Sequence, residues 1–271
     1  MFGGHSVFKR LKRRPKILTV QSTHQLSPHL LRVTFAGPEL EGFPTKHEGA
    51  NCKLVLPREG ESRAAFEAYH APDGPDEKVH RVRTYTIRSY RADKLELDID
   101  FVVHGDEGPA TRWAQSAGPG SFLGFFGPGK PKITKFYADW YLLAADLSAM
   151  PIAEATLEAM PADAQGVAVF EVPSEDDIRD IVAPKGIDIT WLIHQDTHVP
   201  STAQVDFIKS LDWRSGVLQT CIAGESSVIR SLRDYLHNER RERRKDAYIS
   251  GYWKIGLVED EHQKMKRAEA A

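Results

Sequence analysis

The chain changes its periodicity once, near residues 131–135, and that change limits the folds open to it. Before it, apolar residues recur at every second position in short runs. Across residues 94–103, Leu95, Leu97, Ile99, Phe101 and Val103 alternate with Glu96, Asp98 and Asp100, the pattern of a strand with one face turned inward. Residues 30–35, 52–56, 83–90 and 121–126 are further strands, separated by turn-forming stretches such as Ala71-Pro72-Asp73-Gly74-Pro75. Short strands at this spacing, with one helix after Gly108, predict a small antiparallel barrel. After Lys135, compact apolar strands at 140–145, 167–172, 189–194 and 217–223 are each followed by helix-like sequence, the first an amphipathic helix running to Met160, and residues 247–253 close the series. Strands alternating with helices imply a parallel sheet covered on both faces. The expected fold is therefore an N-terminal antiparallel β-barrel domain over 16–131 and a C-terminal α/β domain over 135–258, with a basic tail at 1–15 and a charged tail at 259–271.

A length of 271 residues gives each domain room for its own core. The formal net charge of −2 argues against a general nucleic-acid binder. Cys52 and Cys221 stand far apart, which excludes an iron–sulfur cluster held by this chain alone and a disulfide framework. The basic residues Lys9, Arg10, Lys12, Arg13 and Arg14 are not followed by an apolar run, and no segment has the length to cross a bilayer. A soluble, cytoplasmic protein without an integral membrane segment is expected, and a monomer. The run Arg240-Arg241-Glu242-Arg243-Arg244-Lys245 reads as the solvated face of a long helix, and His194 and His198 lack metal-ligand spacing, so no metal site is expected.

Two segments carry chemistry. Arg83-Thr84-Tyr85-Thr86-Ile87-Arg88 offers a cation, an aromatic ring and hydroxyls on one strand, with Arg83 and Tyr85 on one face and Thr84 and Thr86 on the other. Gly108-Pro109-Ala110-Thr111-Arg112-Trp113 offers a glycine turn opening into a helix, whose first N–H groups are free to bind an anion. In this order the two match the needs of a flavin dinucleotide: a ring to stack on, a donor near the isoalloxazine, and positive charge for the pyrophosphate. Each residue has a plainer reading. Arg83 is a clamp for a pyrophosphate or one half of a surface ion pair. Tyr85 stacks on the flavin or fills the barrel, and Thr86 donates to the flavin or is simply a β-former. The Gly108 turn binds phosphate, with the Thr111 hydroxyl added, or is a helix start with proline in its first turn. His104 meets the ribose or pyrophosphate or is structural. Gly224-Glu225-Ser226-Ser227 opens a helix after an apolar strand, where open α/β sheets bind ligands and where Ser226 or Ser227 would also serve as a helix cap.

The barrel motif followed by a nucleotide-type domain resembles the ferredoxin-reductase-like flavoenzymes. More closely, the chain resembles the siderophore-interacting protein family of flavin-dependent ferric-siderophore reductases. The likeness rests on Cys52-Lys53-Leu54-Val55-Leu56-Pro57, the Arg83 and Gly108 motifs with Asp100-Phe101-Val102-Val103-His104-Gly105-Asp106-Glu107 between them, Ala223-Gly224-Glu225-Ser226-Ser227 and Gly251-Tyr252-Trp253-Lys254-Ile255-Gly256, in colinear order. Where the family has Gly-Asp-Glu-Thr-Ala-x-Pro, this chain has Ala145-Asp146-Leu147-Ser148-Ala149-Met150-Pro151, and Lys254 replaces an arginine frequent there. The resemblance implies FAD held by Arg83, Thr84, Tyr85, Thr86, His104, Gly108, Pro109, Ala110 and Thr111. It implies NADH or NADPH against Asp146, Ser148, Gly224, Glu225 and Ser226, or ferredoxin as donor instead. It also implies an anionic ferric siderophore or other ferric chelate in a cleft flanked by Lys53 and Lys254. No side chain beyond the flavin is expected to be catalytic. The competing readings are a flavin reductase or electron carrier for a protein redox partner, and a non-enzymatic siderophore-binding or accessory protein.

Overall fold

The computed structural model of the chain describes residues 14–75, 77, 79–103 and 108–257. Six antiparallel strands close the barrel: β1 (Lys16–Ser27), β2 (Leu30–Ala36), β3 (Asn51–Leu56), β4 (Arg81–Arg91), β5 (Glu96–Val102) and β6 (Phe122–Phe126), in the order β1-β2-β5-β4-β3-β6 with β6 returning to β1. Two helices accompany them, α1 (Arg63–Tyr69) and α2 (Pro109–Ser116). Leu18, Val33, Leu54, Ile87, Ile99 and Phe125 fill the interior. The twelve-residue β1 and the helix α1 are absent from the sequence reading. In β1 only Leu18, Val20 and Ser27 are buried, and residues 21–25 face outward past a bulge, so alternation is lost over half its length. Only Phe66 of α1 is buried, too little to mark an apolar stripe.

The alternation along β5 also hides something. Asp98 and Asp100, read as outward-facing, are 4% and 5% exposed. Arg32 forks onto Asp100 at 2.7 and 2.8 Å, while Arg91 forks onto Asp98 at 2.6 and 2.8 Å with Ser89 and Thr34 adding hydroxyls. A period of two says which residues share a face; it does not say that arginines from neighbouring strands cover the second face.

The α/β half contains β7 (Trp140–Asp146), α3 (Met150–Ala159), β8 (Gln165–Val172), β9 (Gly186–Ile193), α4 (Ala203–Ser210), β10 (Leu218–Glu225), α5 (Ser226–Asp234) and β11 (Ala247–Trp253). Its strands are all parallel, in the order β11-β10-β7-β8-β9. The connection from β8 to β9 carries only a 3-10 turn at Glu175–Asp177 where a helix was expected. That segment is drawn across to the barrel instead: Asp177, fully buried, accepts from Ser27 Oγ at 2.6 Å, His29 N at 3.1 Å and His29 Nδ1 at 2.8 Å. Nor is α3 amphipathic. Met150 through Leu157 are all buried, because α3 is wedged between the sheet and β4.

A charged cluster crosses the same seam. Arg88 of β4 reaches Glu154 at 3.1 Å and Glu158 at 3.0 and 2.5 Å, and Arg179 pairs with the other oxygen of Glu154. The arginine run at 240–245 lies on no long helix. Past α5 comes one π-type turn at Tyr235–Glu239, then irregular chain and a 3-10 turn at Arg244–Asp246; Arg240 stacks over Trp213 at 4.0 Å and Arg243 pairs with Asp246 at 2.7 Å. Among the described residues no helix is long and apolar enough to cross a membrane, and no group of three or more His, Cys, Asp or Glu could hold a metal ion.

Candidate functional site

From Arg81 to Thr86, β4 pairs with β3, whereas its ladder with β5 runs from Ile87–Ile99 to Arg91–Glu96. The Arg83 motif therefore stands where β4 and β5 part. Arg83 is 8% exposed, and its Nη1 donates to the Val82 carbonyl at 2.9 Å, which turns the guanidinium back along the strand. Thr84 lies opposite Lys53 and accepts from its ammonium at 3.1 Å. The Tyr85 ring packs on Phe101 (4.5 Å between centroids), Phe101 on Trp113 of α2 (5.8 Å), and Trp113 on Phe35 (6.1 Å). This aromatic train connects the strand motif with the helix motif, two segments far apart in sequence.

The start of α2 is built for an approach from outside. Gly108 has φ 90°, a conformation that favours glycine, and a Cβ there would meet nothing within 4 Å. Among the described residues no side chain caps the helix, and Pro109 occupies its first turn. The Thr111 hydroxyl, read as a phosphate donor, gives its proton to the Val102 carbonyl at 3.3 Å. The turn thus presents backbone N–H groups and the positive end of the helix, a suitable partner for an anion. Ala110 and Thr111 are buried beneath it, and His104 lies outside the described residues.

Thr86 of β4 is 6% exposed, and at the end of β11 the Tyr252 phenol lies 3.1 Å from the Tyr248 hydroxyl. Burial pushes both phenols above their ordinary value. Lys254 follows two residues after Tyr252, just past the end of β11, and Lys53 of β3 stands opposite Thr84. Tyr252 belongs to the closing Gly251-Tyr252-Trp253 signature but had no role assigned from sequence; Tyr248, four residues earlier on the same face of the strand, was not singled out.

The C-terminal edge of the parallel sheet is different. Asp146 is half-buried, and it accepts from Ser148 N at 2.9 Å, Ser148 Oγ at 2.6 Å, Glu225 N at 2.9 Å and Trp253 Nε1 at 2.8 Å. Burial raises its carboxyl above the usual range despite those donors. A Cβ on Gly224 would stand 2.6 Å from Asp146 Oδ2, so glycine is what lets β10 pass. The Glu225 carboxylate caps α5, accepting from Ser227 N at 2.6 Å and Val228 N at 3.1 Å, and Ser226 Oγ donates to the Trp253 carbonyl at 2.8 Å. The residues read as nicotinamide contacts are thus brought together, but their polar groups are turned on one another.

An antiparallel barrel with a flavin-type strand motif, joined to a five-stranded parallel sheet, defines the ferredoxin-reductase-like fold. A ferredoxin-NADP+ reductase from Plasmodium falciparum shares that fold, with a TM-score of 0.58 over 88% of this chain and 96% of that one at 13% identity. Residues 19–132 match the siderophore-interacting FAD-binding domain, and residues 138–256 match the siderophore-interacting protein domain. The ferric vibriobactin reductase ViuB of Vibrio cholerae is 37% identical over 254 residues, covering 91% of this chain and 92% of that protein. The siderophore-interacting protein SipS from Aeromonas hydrophila superposes with a TM-score of 0.82 at 33% identity, over 95% of this chain and 98% of its own. The chain belongs to the siderophore-interacting protein family, and its N-terminal half is an FAD-binding domain. The residues present fit that cofactor: a buried arginine, a ring at the strand parting and an uncapped helix start with open space at Gly108.

Proposed function

We propose that the protein is an FAD-dependent reductase of ferric siderophores, acting on an anionic chelate bound between Lys53 and Lys254. The observation that carries this reading is the meeting of the Arg83 and Gly108 motifs through Tyr85, Phe101 and Trp113, in a chain whose relatives include a named ferric-siderophore reductase. Bound FAD supplies the conversion of two-electron donation into single electrons for iron. Arg83 and the first N–H groups of α2 hold the pyrophosphate, Tyr85 packs along the isoalloxazine, and Thr86 donates a hydrogen bond near its reactive nitrogen. Lys53 and Lys254 attract and orient the chelate by charge. Iron leaves the chelate on reduction because hard anionic oxygen ligands hold a doubly charged ion less tightly.

We infer that the donor is an iron–sulfur protein of the ferredoxin type rather than a reduced nicotinamide. A pyrophosphate at the start of α5 would meet the Glu225 carboxylate already in place there, with Asp146 beside it. Anaerobic mixing with NADH, NADPH or a reduced ferredoxin, followed by a ferric siderophore, tests both statements. Rapid bleaching of the flavin by ferredoxin and slow, unsaturated bleaching by either nicotinamide is expected, with colour restored by the chelate. Fast reduction saturating at micromolar NADH or NADPH contradicts the choice of donor, and flavin that stays reduced in the presence of the chelate contradicts the reductase reading.

A further inference from the structure

The run Arg240-Arg241-Glu242-Arg243-Arg244-Lys245 has no part in the flavin site, and the fold sorts its charges. Each acidic neighbour is engaged away from Arg244. Glu239 pairs with Lys209 at 3.7 Å, Glu242 accepts from Trp213 Nε1 at 3.1 Å, and Asp246, 3% exposed, is held by Arg243 and Tyr137. Arg244 stays exposed, with no ion-pair partner among the described residues. Arg241 has φ 61°, a left-handed turn that folds the segment back, so that Glu242 N reaches the Leu236 carbonyl at 2.8 Å.

Arg233 with His237, and Asp234 with Asn238, are spaced by four and form two neighbouring rows at the end of α5 and on the turn that follows. With Arg244 they line one cleft of about 210 Å³. We propose that this cleft is a binding site for a phosphate monoester. It lies at the N-terminal end of the parallel sheet, because β11 starts just after Asp246 and α5 runs back from the end of β10. A strand's length, roughly 20 Å, separates it from Asp146 and Glu225, so it is a second site and not an extension of the first.

The backbone there does not oppose an anion. The last carbonyls of a helix repel negative charge, but Tyr235 O accepts from Arg240 N at 2.9 Å, and Leu236 O is taken by Glu242 N. Arg233 Nη2 donates to the Ile249 carbonyl at 3.1 Å, which fixes the guanidinium and leaves its remaining N–H groups for a ligand. The His237 ring lines the cleft, yet its Nδ1 is enclosed with no partner among the described residues. An anion in the cleft gives the turned ring the partner it lacks.

The donor set also selects the class of anion. Two guanidiniums arrive from separate segments, with an imidazole and the Asn238 amide between them, an arrangement suited to the three terminal oxygens of a monoester rather than the two of a planar carboxylate. Two arginines against the single carboxylate of Asp234 keep the wall positive. Asp234 in turn suits a hydroxyl on the alcohol part of the ester, which a bare phosphate lacks.

The experiment uses the full chain saturated with FAD, so that the open start of α2 is filled. Glycerol 3-phosphate is titrated by calorimetry, with inorganic phosphate and glycerol in parallel. One-to-one binding of the ester, weaker binding of phosphate, none of glycerol and an unchanged flavin spectrum are expected. Arg244→Gln, an exposed position, should weaken binding of the ester roughly tenfold, the lower end for a charge-assisted hydrogen bond, and Arg233→Gln at least as much. Lys254→Ala should leave it at parent strength. Parent affinity in Arg244→Gln, or binding lost in Lys254→Ala, overturns the site; Arg244→Gln decides alone should Arg233→Gln fail to fold. Vesicles of phosphatidylcholine with and without phosphatidic acid separate two sources of the same group. Capture by phosphatidic acid assigns a lipid headgroup, and binding of the soluble ester without capture assigns a small metabolite. Neither binding nor capture overturns the proposal.

Discussion

The start of α2 and the start of α5 look alike in sequence: an apolar strand, a glycine, then a helix with small or hydroxyl residues in its first turn. In three dimensions they are opposites. At α2 no side chain among the described residues caps the helix or fills the space at Gly108, and the buried Arg83 belongs to the strand parting it joins. At α5 the Glu225 carboxylate fills the anion position itself, and Asp146 closes the strand ends behind it. A helix N-terminus attracts negative charge in either case. What differs is whether the chain brings its own carboxylate or leaves the place for a ligand. Asp98 in the barrel and Asp146 in the sheet extend the contrast. Burial alone would raise both; hydrogen bonds from Arg91, Ser89 and Thr34 bring Asp98 below the usual range, while the neutral donors around Asp146 leave it above.

The largest effect should come from the seam that holds these two ends in register. Arg88→Ala leaves Glu154 and Glu158 without their barrel partner, and removing one member of a buried pair costs about 3–5 kcal/mol. Denaturant unfolding should show that loss; a change under about 1 kcal/mol would mean that the cluster is solvated and the domains are joined by other contacts.

Arg83→Ala tests the open end. Loss of charge-assisted hydrogen bonds to a pyrophosphate, about 1.5–3 kcal/mol, should weaken FAD binding by roughly 10- to 150-fold. Titration of the folded apoprotein with FAD measures it, and parent affinity would mean that Arg83 is a structural residue only.

At the closed end, Glu225→Gln removes a charge while leaving an oxygen to cap α5. Nicotinamide dinucleotides should then bind about fivefold more tightly, near 1 kcal/mol for one partly screened charge. Equilibrium titration with NADPH reads this directly, and unchanged affinity would locate the barrier elsewhere than in the carboxylate. Lys53→Ala or Lys254→Ala should raise the KM for an anionic ferric chelate by a similar factor, with flavin content unchanged. That effect should shrink with added salt and be smaller for a neutral chelate. If both variants keep the parent KM at low salt, the substrate does not lie between them.

The subtlest effect is one of sign. Asp98 has a folded pKa below its unfolded value, so its stabilisation is complete above the ordinary carboxylate range and is lost as pH falls through the folded value. Asp146 has a folded pKa above its unfolded value, so the fold binds more protons in that window and its contribution declines as pH rises through the folded value. Hydrogen exchange on lowering the pH from neutral should first show added protection at the ends of β7 and β10, and only at more acid pH lost protection in β5. Parallel changes in both regions would remove the contrast.

The sequence was most legible where structure is local. The strand alternation around Ile99, the Arg83 motif and the closing Ala247–Trp253 strand all follow from period and residue type. β1 escaped because its outer half faces solvent and carries a bulge, and α1 because a single buried phenylalanine leaves no stripe. The expected helix between β8 and β9 is replaced by a docking loop because Asp177 bonds with Ser27 and His29, some 150 residues away in the chain. The site residues divide in the same way. Arg83, Tyr85 and Gly108 belong to recognisable motifs, whereas Arg88 with Glu154 acquires meaning only when β4 and α3 meet. A helix cap at this turn was legible as an alternative, but it was expected from Ser226 or Ser227; that Glu225, one residue earlier, supplies it and so fills the place of a ligand with a carboxylate was not.

The most direct test of the account does without a physiological donor. The purified protein, its bound flavin quantified on denaturation as FAD, is photoreduced anaerobically and mixed with an anionic ferric siderophore and a ferrous-iron trap. The account predicts one FAD per chain, return of the oxidised flavin spectrum on mixing, and two ferrous ions trapped for each flavin reoxidised. A protein that carries no FAD, or a reduced flavin that persists beside the chelate while no ferrous iron is trapped, contradicts it.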